Sequence, residues 1–125
     1  MSNNEQPKPA SVHTKAKNST VTPPSDAGDF DRAKRGFIAS LPTGRITNSA
    51  GRMVVDVNRY DFIRAGGPSP ETVNPSLWRH AQLNAHHGLF EVADGVWQVR
   101  GYDISNITFI KGTEGWVVID PLTTE

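Results

Sequence analysis

The sequence contains no cysteine. Disulfide bonds and thiolate metal ligands are therefore excluded. The chain also lacks an apolar run of about 20 residues, which a membrane span requires, and a run of about 7–15 residues, which a secretory signal requires. We therefore expect a cytoplasmic protein without a membrane span.

Neither sign of charge is in excess. The chain has 13 Lys and Arg against 13 Asp and Glu, for a formal net charge of zero. It has no basic run of the kind that forms the electrostatic footprint of nucleic-acid binding. The pattern indicates a mixed, solvated surface and gives no indication of a nucleic-acid partner.

Large apolar side chains are nearly absent from residues 1–28. This segment has no Leu, Ile, Phe, Trp or Tyr, and it holds four of the nine prolines. Such a composition cannot bury enough apolar surface to offset the entropy of ordering the chain. We predict a disordered polar tail over residues 1–28.

The next part, residues 29–73, predicts a leader segment of short elements. A helix is expected over 30–40 with Asp29 as its N-cap, since a short polar side chain there accepts a backbone N–H. The loop sequence NSAG, flanked by apolar residues, predicts a hairpin over 45–57. A helical turn is expected over 58–65.

Residues 74–125 carry the clearest pattern. Asn74 is a good N-cap, Pro75 fits the first helical position, and Gly88 is expected to end the helix after His87. The hydrophobic period then changes from 3.6 to 2, which indicates strands. Strands are predicted over 89–92, 96–100, 104–111 and 116–120. The last of these is nearly all apolar, as expected when both of its faces are covered.

The histidines are candidate metal ligands. His86 and His87 are adjacent, and adjacent helical residues point in different directions. In the last helical turn, their simpler role is to interact with the helix dipole. His80 has no histidine or acidic residue three or four positions away that could be a second metal ligand, and the sequence has no H-x-H or H-E-x-x-H motif. One histidine could still be a ligand with a distant partner, but we do not expect a complete zinc site within this chain.

The polar loop at 101–106 and the acid at 120 are the other candidates. Loops held by a sheet often line sites. The alternative is a simple connection in which Asp103 and Asn106 bond the turn backbone. Ser105 has no nearby histidine or cysteine in sequence to activate it, so a nucleophile is not favoured. Asp120 follows a strand expected to be buried, where an acid is costly unless hydrogen-bonded, and an anchoring role for the following loop is favoured.

Two stretches resemble a known family. The sequence TVNPSLWRHAQLNAHHGLFEVADGVWQVRGYDISNITFIKGTEGWVVIDPL is similar to the N-terminal part of the alkyl sulfatases of the metallo-β-lactamase superfamily. The sequence GFIASLPTGRITNSAGRMVVDV resembles their leader segment. The likeness covers about residues 29–125. It implies an α+β (αβ) fold class: the N-terminal part of an αβ/βα sandwich, with antiparallel strands plus short helices, after the disordered tail.

The resemblance also implies a chemistry. These enzymes hydrolyse alkyl sulfate esters such as dodecyl sulfate to alcohol and sulfate, with two zinc ions that generate hydroxide from bound water. The H-x-H-x-D-H signature, further ligands, a dimerisation region and a sterol-carrier-like domain come after the matched part. We therefore expect the intact enzyme to be a homodimer. We expect this chain, as a fragment of it, to bind no zinc and to be inactive alone.

The resemblance assigns modest roles to four residues of this chain. Tyr102, Asp103 and Asn106 match the connection near the active-site rim, and Asp120 matches the acid that supports the metal-binding loop. An alternative from another class is a non-catalytic interaction module, or truncated remnant, that pairs with a partner through its last strand. The coding sequence after residue 125 distinguishes the two hypotheses.

Overall fold

The computed structural model describes residues 9–26 and 28–121. The helices are α1 (Val12–Ser19), α2 (Gly28–Lys34), a 3-10 helix (Val57–Tyr60) that leads into α3 (Asp61–Arg64), and α4 (Pro75–Asn84). The strands are β1 (Phe37–Ala39), β2 (Arg45–Thr47), β3 (Met53–Asp56), β4 (Gly88–Ala93), β5 (Val96–Arg100), β6 (Ile107–Lys111) and β7 (Trp116–Ile119). Within these ranges, no helix is long and apolar enough to cross a membrane.

The strands form two antiparallel sheets. The larger has the order β1-β4-β5-β6-β7, and β2 and β3 pair separately. Consecutive strands from β4 to β7 are neighbours, as short turns between antiparallel strands allow. The predicted class of antiparallel strands plus short helices is confirmed. In this order β1 and β7 form the edges of the larger sheet.

Residues 12–19 correct the prediction of a disordered tail, because they form α1. Ser11 caps the helix, with its Oγ accepting a backbone N–H at 3.1 Å. Two polar contacts join the helix to Glu71. The side-chain amide of Asn18 donates to the backbone carbonyl of Glu71 at 2.8 Å, and the Lys15 ammonium lies 2.5 Å from the Glu71 carboxylate. No α1 residue is buried, so polar contacts hold this helix, and the apolar composition of the segment does not reveal them. Residues 1–8 of the predicted tail lie outside the described residues.

The predicted helix over 30–40 is also corrected. Helix α2 ends at Lys34, and Phe37–Ala39 forms β1, which pairs with β4. The backbone N–H of Glu91 donates to the carbonyl of Gly36 at 2.8 Å and fixes the start of this pairing. Pairing with a strand more than fifty residues away overrides the local helical pattern.

Helix α4 begins as predicted but ends early. The Asn74 side chain accepts from the backbone N–H of Ser76 at 2.9 Å, and Pro75 opens the helix. The helix ends at Asn84 rather than near His87, and Gly88 begins β4 instead of stopping a helix. Gly88 has φ +138°, and a Cβ there would lie 2.4 Å from the Ala39 carbonyl oxygen. Glycine is therefore required for the close approach of β1 to β4.

The remaining elements lie close to the predictions. The hairpin expected over 45–57 is present as β2 and β3, and the helical turn expected over 58–65 as the 3-10 helix and α3. Strand β6 begins at Ile107 rather than at 104, so residues 104–106 belong to the preceding loop.

The core lies toward the β1 side of the larger sheet. Phe90 on β4 is fully buried, and its ring contacts Phe37 edge-on with centroids 5.5 Å apart. The Arg100 guanidinium lies 4.4 Å from the centre of the Phe90 ring. The other buried apolar residues are Val57, Trp78 and Tyr102. Strand β7, at the opposite edge, is exposed along its whole length.

Candidate functional site

The sheet register brings the predicted site residues to one end of the sheet. Val99 on β5 pairs with Ile107 on β6, and Thr108 pairs with Ile119 on β7. The loop at 101–106 therefore joins β5 to β6 at the same end at which Asp120 leaves β7. The sequence alone did not predict this convergence, because it depends on the register of three strands.

Tyr102 anchors the loop to the core. Its side chain is buried, and its hydroxyl accepts the backbone N–H of Leu41 at 2.9 Å. Its ring meets the imidazole of His87 edge-on, with centroids 5.4 Å apart. Tyr102 thus attaches the start of the loop to the core, whereas Ile104 and Asn106, later in the loop, lie at the surface.

The rest of the loop turns outward. The carboxylate of Asp103 accepts the backbone N–H of Ile104 at 2.6 Å, which is the local turn bonding expected of Asp. Ile104 is 94% exposed, and Asn106 is also exposed. The Ser105 hydroxyl is buried without a hydrogen-bond partner among the described residues, a feature that the sequence did not reveal.

An open cleft of about 710 Å³ lies beside this loop. Its polar lining comprises Asp29, Arg79, His80, Asn84, His86, Arg100, Asp103 and Asn106. The Arg79 guanidinium donates to the Asp29 carboxylate at 2.8 Å and to the Asp26 carbonyl at 2.6 Å. Hydrogen bonds from Arg32 and then Arg79 lower the pKa of Asp29 below its ordinary value. The charges on this wall of the cleft are therefore paired with one another.

His80 and His86 line the cleft, but within the described residues they belong to no group of side chains that could hold a metal ion. Burial, and then the neighbouring Lys34 and His87, lower the pKa of His86 below its ordinary value of 6.5. His80 shares a hydrogen bond of 3.0 Å with Asn84. His86 and His87 lie beyond the end of α4, so their predicted place in its last turn is wrong.

Asp120 is exposed and has φ +59°, a left-handed conformation that Asp tolerates better than most residues. The strand before it is also exposed, so the predicted burial is not present among the described residues. The proposed role of Asp120 as an anchor for a following loop stays a prediction.

Zinc does not fit the described residues. A catalytic zinc needs three protein ligands around one point. Within residues 9–26 and 28–121, no group of three or more His, Cys, Asp or Glu side chains could hold a metal ion.

Comparisons with known proteins give a consistent result. No family model matches the chain. It is 46% identical over 124 residues to a linear primary-alkylsulfatase of Pseudomonas sp., covering 97% of this chain and 18% of that enzyme. It is 49% identical over 102 residues to an alkyl/aryl-sulfatase of Saccharomyces cerevisiae, covering 82% of this chain and 16% of that protein.

A solved structure matches equally well. The stereoselective inverting sec-alkylsulfatase Pisa1 from Pseudomonas sp. superimposes with a TM-score of 0.81 at 48% identity, covering 94% of this chain and 19% of that one. The resemblance to the alkyl sulfatase family is thus confirmed in sequence and in fold. The chain spans 16–19% of the length of these three relatives.

Proposed function

We propose that this chain is part of a zinc-dependent alkyl sulfatase, in which it builds the opening sheet of the catalytic domain and one side of the active-site rim. The substrate class is alkyl sulfate esters, and the products are an alcohol and sulfate. One observation carries the proposal: 94% of the chain superimposes on an alkylsulfatase at 48% identity. The intact enzyme, on this proposal, is a cytoplasmic homodimer.

The contribution of the chain is scaffolding rather than catalysis. The described residues offer no three-ligand metal site, so the zinc ions are held by residues outside them. The register instead places the loop at 101–106 and Asp120 at one sheet end. In this proposal Asp103 and Asn106 line the rim, Tyr102 fixes their loop, and Asp120 supports the segment that carries the metal ligands.

The purified chain alone is expected to bind no zinc tightly and to leave dodecyl sulfate intact. The measurement is metal analysis after incubation with zinc and exhaustive dialysis, followed by an assay for released sulfate. The linear primary-alkylsulfatase relative, treated in the same way, is the control for the procedure. Stoichiometric zinc on the 125-residue chain, or release of sulfate by it, contradicts this assignment.

A second candidate function is a non-catalytic interaction module. Within the described residues, strand β7 pairs with a neighbouring strand on one side only, and its four side chains are 48–58% exposed. A free apolar edge of this kind can take an added strand from a partner. The module is expected to bind an intact alkylsulfatase. If the chain is instead the scaffold part of the enzyme, as proposed first, it is expected to bind only an alkylsulfatase from which the matching segment is missing.

A further inference from the structure

The side chain of Arg100, at the end of β5, is held by contacts on two sides. Its Nε donates to the side-chain carbonyl of Gln98 at 2.7 Å, and its guanidinium lies 4.4 Å from the centre of the fully buried Phe90 ring. The Gln98 amide in turn donates to the Thr108 hydroxyl at 3.1 Å, across the paired strands β5 and β6. These contacts fix the position of a guanidinium group that is usually mobile, so little entropy is lost when it binds a ligand.

The terminal nitrogens of this guanidinium are not used by the described residues. Guanidinium carries five N–H donors and accepts no hydrogen bond. The Nε–H serves Gln98, whereas Nη1 and Nη2 make no hydrogen bond or ion pair with any residue in the ranges 9–26 and 28–121. Half-buried polar groups of this kind normally have partners. Arg100 therefore presents a preformed fork of donors, which matches two oxygens of one anion.

Arg100 lines the cleft of about 710 Å³ that lies beside the loop at 101–106. Two side-chain amides line the same cleft, Asn84 at the end of α4 and Asn106 in the loop. An amide has two N–H donors, and the Asn84 amide shares only one contact, of 3.0 Å, with the His80 ring. A strand, a helix and a loop thus each supply a hydrogen-bond donor to one space.

The acidic residues of the cleft limit its affinity for an anion without closing it. The carboxylate of Asp29 accepts from Arg32 at 2.6 Å and from Arg79 at 2.8 Å, so its charge is balanced by two guanidinium groups. Asp103 also lines the cleft and opposes a bound anion, although it forms no ion pair with Arg100. The attraction by Arg100 is therefore partly offset, and a modest affinity is expected.

We propose that Arg100 is the centre of an oxyanion site, with the amides of Asn84 and Asn106 as further donors, and that this site takes a sulfate group. A carboxylate offers two oxygens in one plane and one negative charge. Sulfate offers oxygens in several directions and a second charge, so it can meet the Arg100 fork and an amide together. The use of the site for a sulfate ester or for the sulfate product rests on the function proposed above, but the site itself does not.

The test is a titration of the full 125-residue chain with sodium sulfate at constant ionic strength, followed by NMR of the Arg Nε–H and Asn side-chain amide resonances. A saturable change at Arg100 is expected, with a dissociation constant of about 1–10 mM for one small anion in an open cleft. Sodium acetate at the same ionic strength is expected to bind about tenfold more weakly, because it carries one charge less. The resonance of Arg52, which is exposed and lies outside the cleft, is expected not to saturate.

Arg100→Gln is expected to weaken sulfate binding about tenfold or more, measured at the Asn84 and Asn106 amides, because a charge-assisted contact is lost. Arg52→Gln is the matched control, since it removes the same charge outside the cleft and should leave the binding unchanged. Should Arg100→Gln fail to fold, the Arg100 resonance of the unsubstituted chain decides.

Self-association of the chain does not prevent the test. The titration is then made in the Trp116→Lys, Val118→Lys variant, whose substitutions lie in an apolar surface groove and not among the residues that line the cleft.

Three results overturn the proposal: no saturable change at Arg100, acetate binding as tight as that of sulfate, or sulfate binding that is unchanged in Arg100→Gln. The second result would indicate that a protein carboxylate from outside the described residues is the partner of Arg100. A failure of the titration leaves the alkyl sulfatase assignment standing, because that assignment depends on identity and superposition. Inactivity in sulfatase assays likewise leaves the oxyanion site standing.

Discussion

Replacing Phe90 by alanine is expected to lower the free energy of unfolding by about 3–5 kcal/mol. Phe90 is the fully buried large side chain of the described core, and its ring contacts both Phe37 and the Arg100 guanidinium. Truncation removes both contacts and leaves a cavity at the centre of β4. Total stabilities of about 5–15 kcal/mol are usual, so a chain with so small a core is expected to be largely unfolded by this change. Equilibrium urea unfolding, followed by tryptophan fluorescence, measures it.

Phe62→Ala is the matched control. The same atoms are removed, but Phe62 is 63% exposed and makes only a tilted contact with Trp78, with centroids 6.1 Å apart. The expected loss is about 1 kcal/mol or less. If Phe90→Ala and Phe62→Ala lose comparable free energy of unfolding, the core does not lie at β4.

The second large expected effect concerns the exposed apolar face of the larger sheet. Leu89, Trp97, Phe109, Trp116 and Val118 line an open apolar groove on one face. Trp97 and Trp116 lie next to each other, with ring centroids 5.4 Å apart. Exposed apolar patches of this kind mark surfaces that a partner covers or that cause aggregation. The purified chain is therefore expected to bind a hydrophobic dye and to self-associate.

The double variant Trp116→Lys with Val118→Lys is expected to weaken dye binding about tenfold or more, because it removes two large apolar side chains from the groove. Ile104→Lys is the control, since Ile104 is more exposed than either residue but lies outside the groove. Fluorescence titration and sedimentation velocity give the two readouts. A monomeric chain that binds no dye, or an equal effect of the control, contradicts the interpretation of this face.

The elements with local signals were predictable from the sequence. The cap at Asn74 and the hairpins depend on residues close in the chain, and they form as predicted. β1 was missed because it exists only through pairing with β4, and α1 was missed because Glu71 holds it from outside the segment. Both misses are cases in which tertiary contacts override local composition.

The same distinction between local signals and long-range contacts applies to the candidate site. The polar loop at 101–106 could be recognised from its residues and its place between strands. Its attachment could not, because the ring contact of Tyr102 with His87 and the Tyr102 hydrogen bond to Leu41 join distant positions. The proximity of Trp97 and Trp116 likewise depends on the register of β5, β6 and β7, which the sequence does not specify. These contacts decide where the loop sits and which face of the sheet needs a partner.

The central claim is that this chain is the scaffold part of an alkyl sulfatase whose metal ligands lie outside the described residues. The most direct measurement is complementation: the chain is co-expressed with the linear primary-alkylsulfatase relative from which the matching segment has been deleted. Copurification and recovery of dodecyl sulfate hydrolysis are predicted. Both are expected to be lost in the Trp116→Lys, Val118→Lys variant and kept in Val12→Lys, a substitution on the exposed surface of α1, outside the groove and the loop at 101–106. A deleted relative that is fully active by itself, or one that never associates with the chain, contradicts the account.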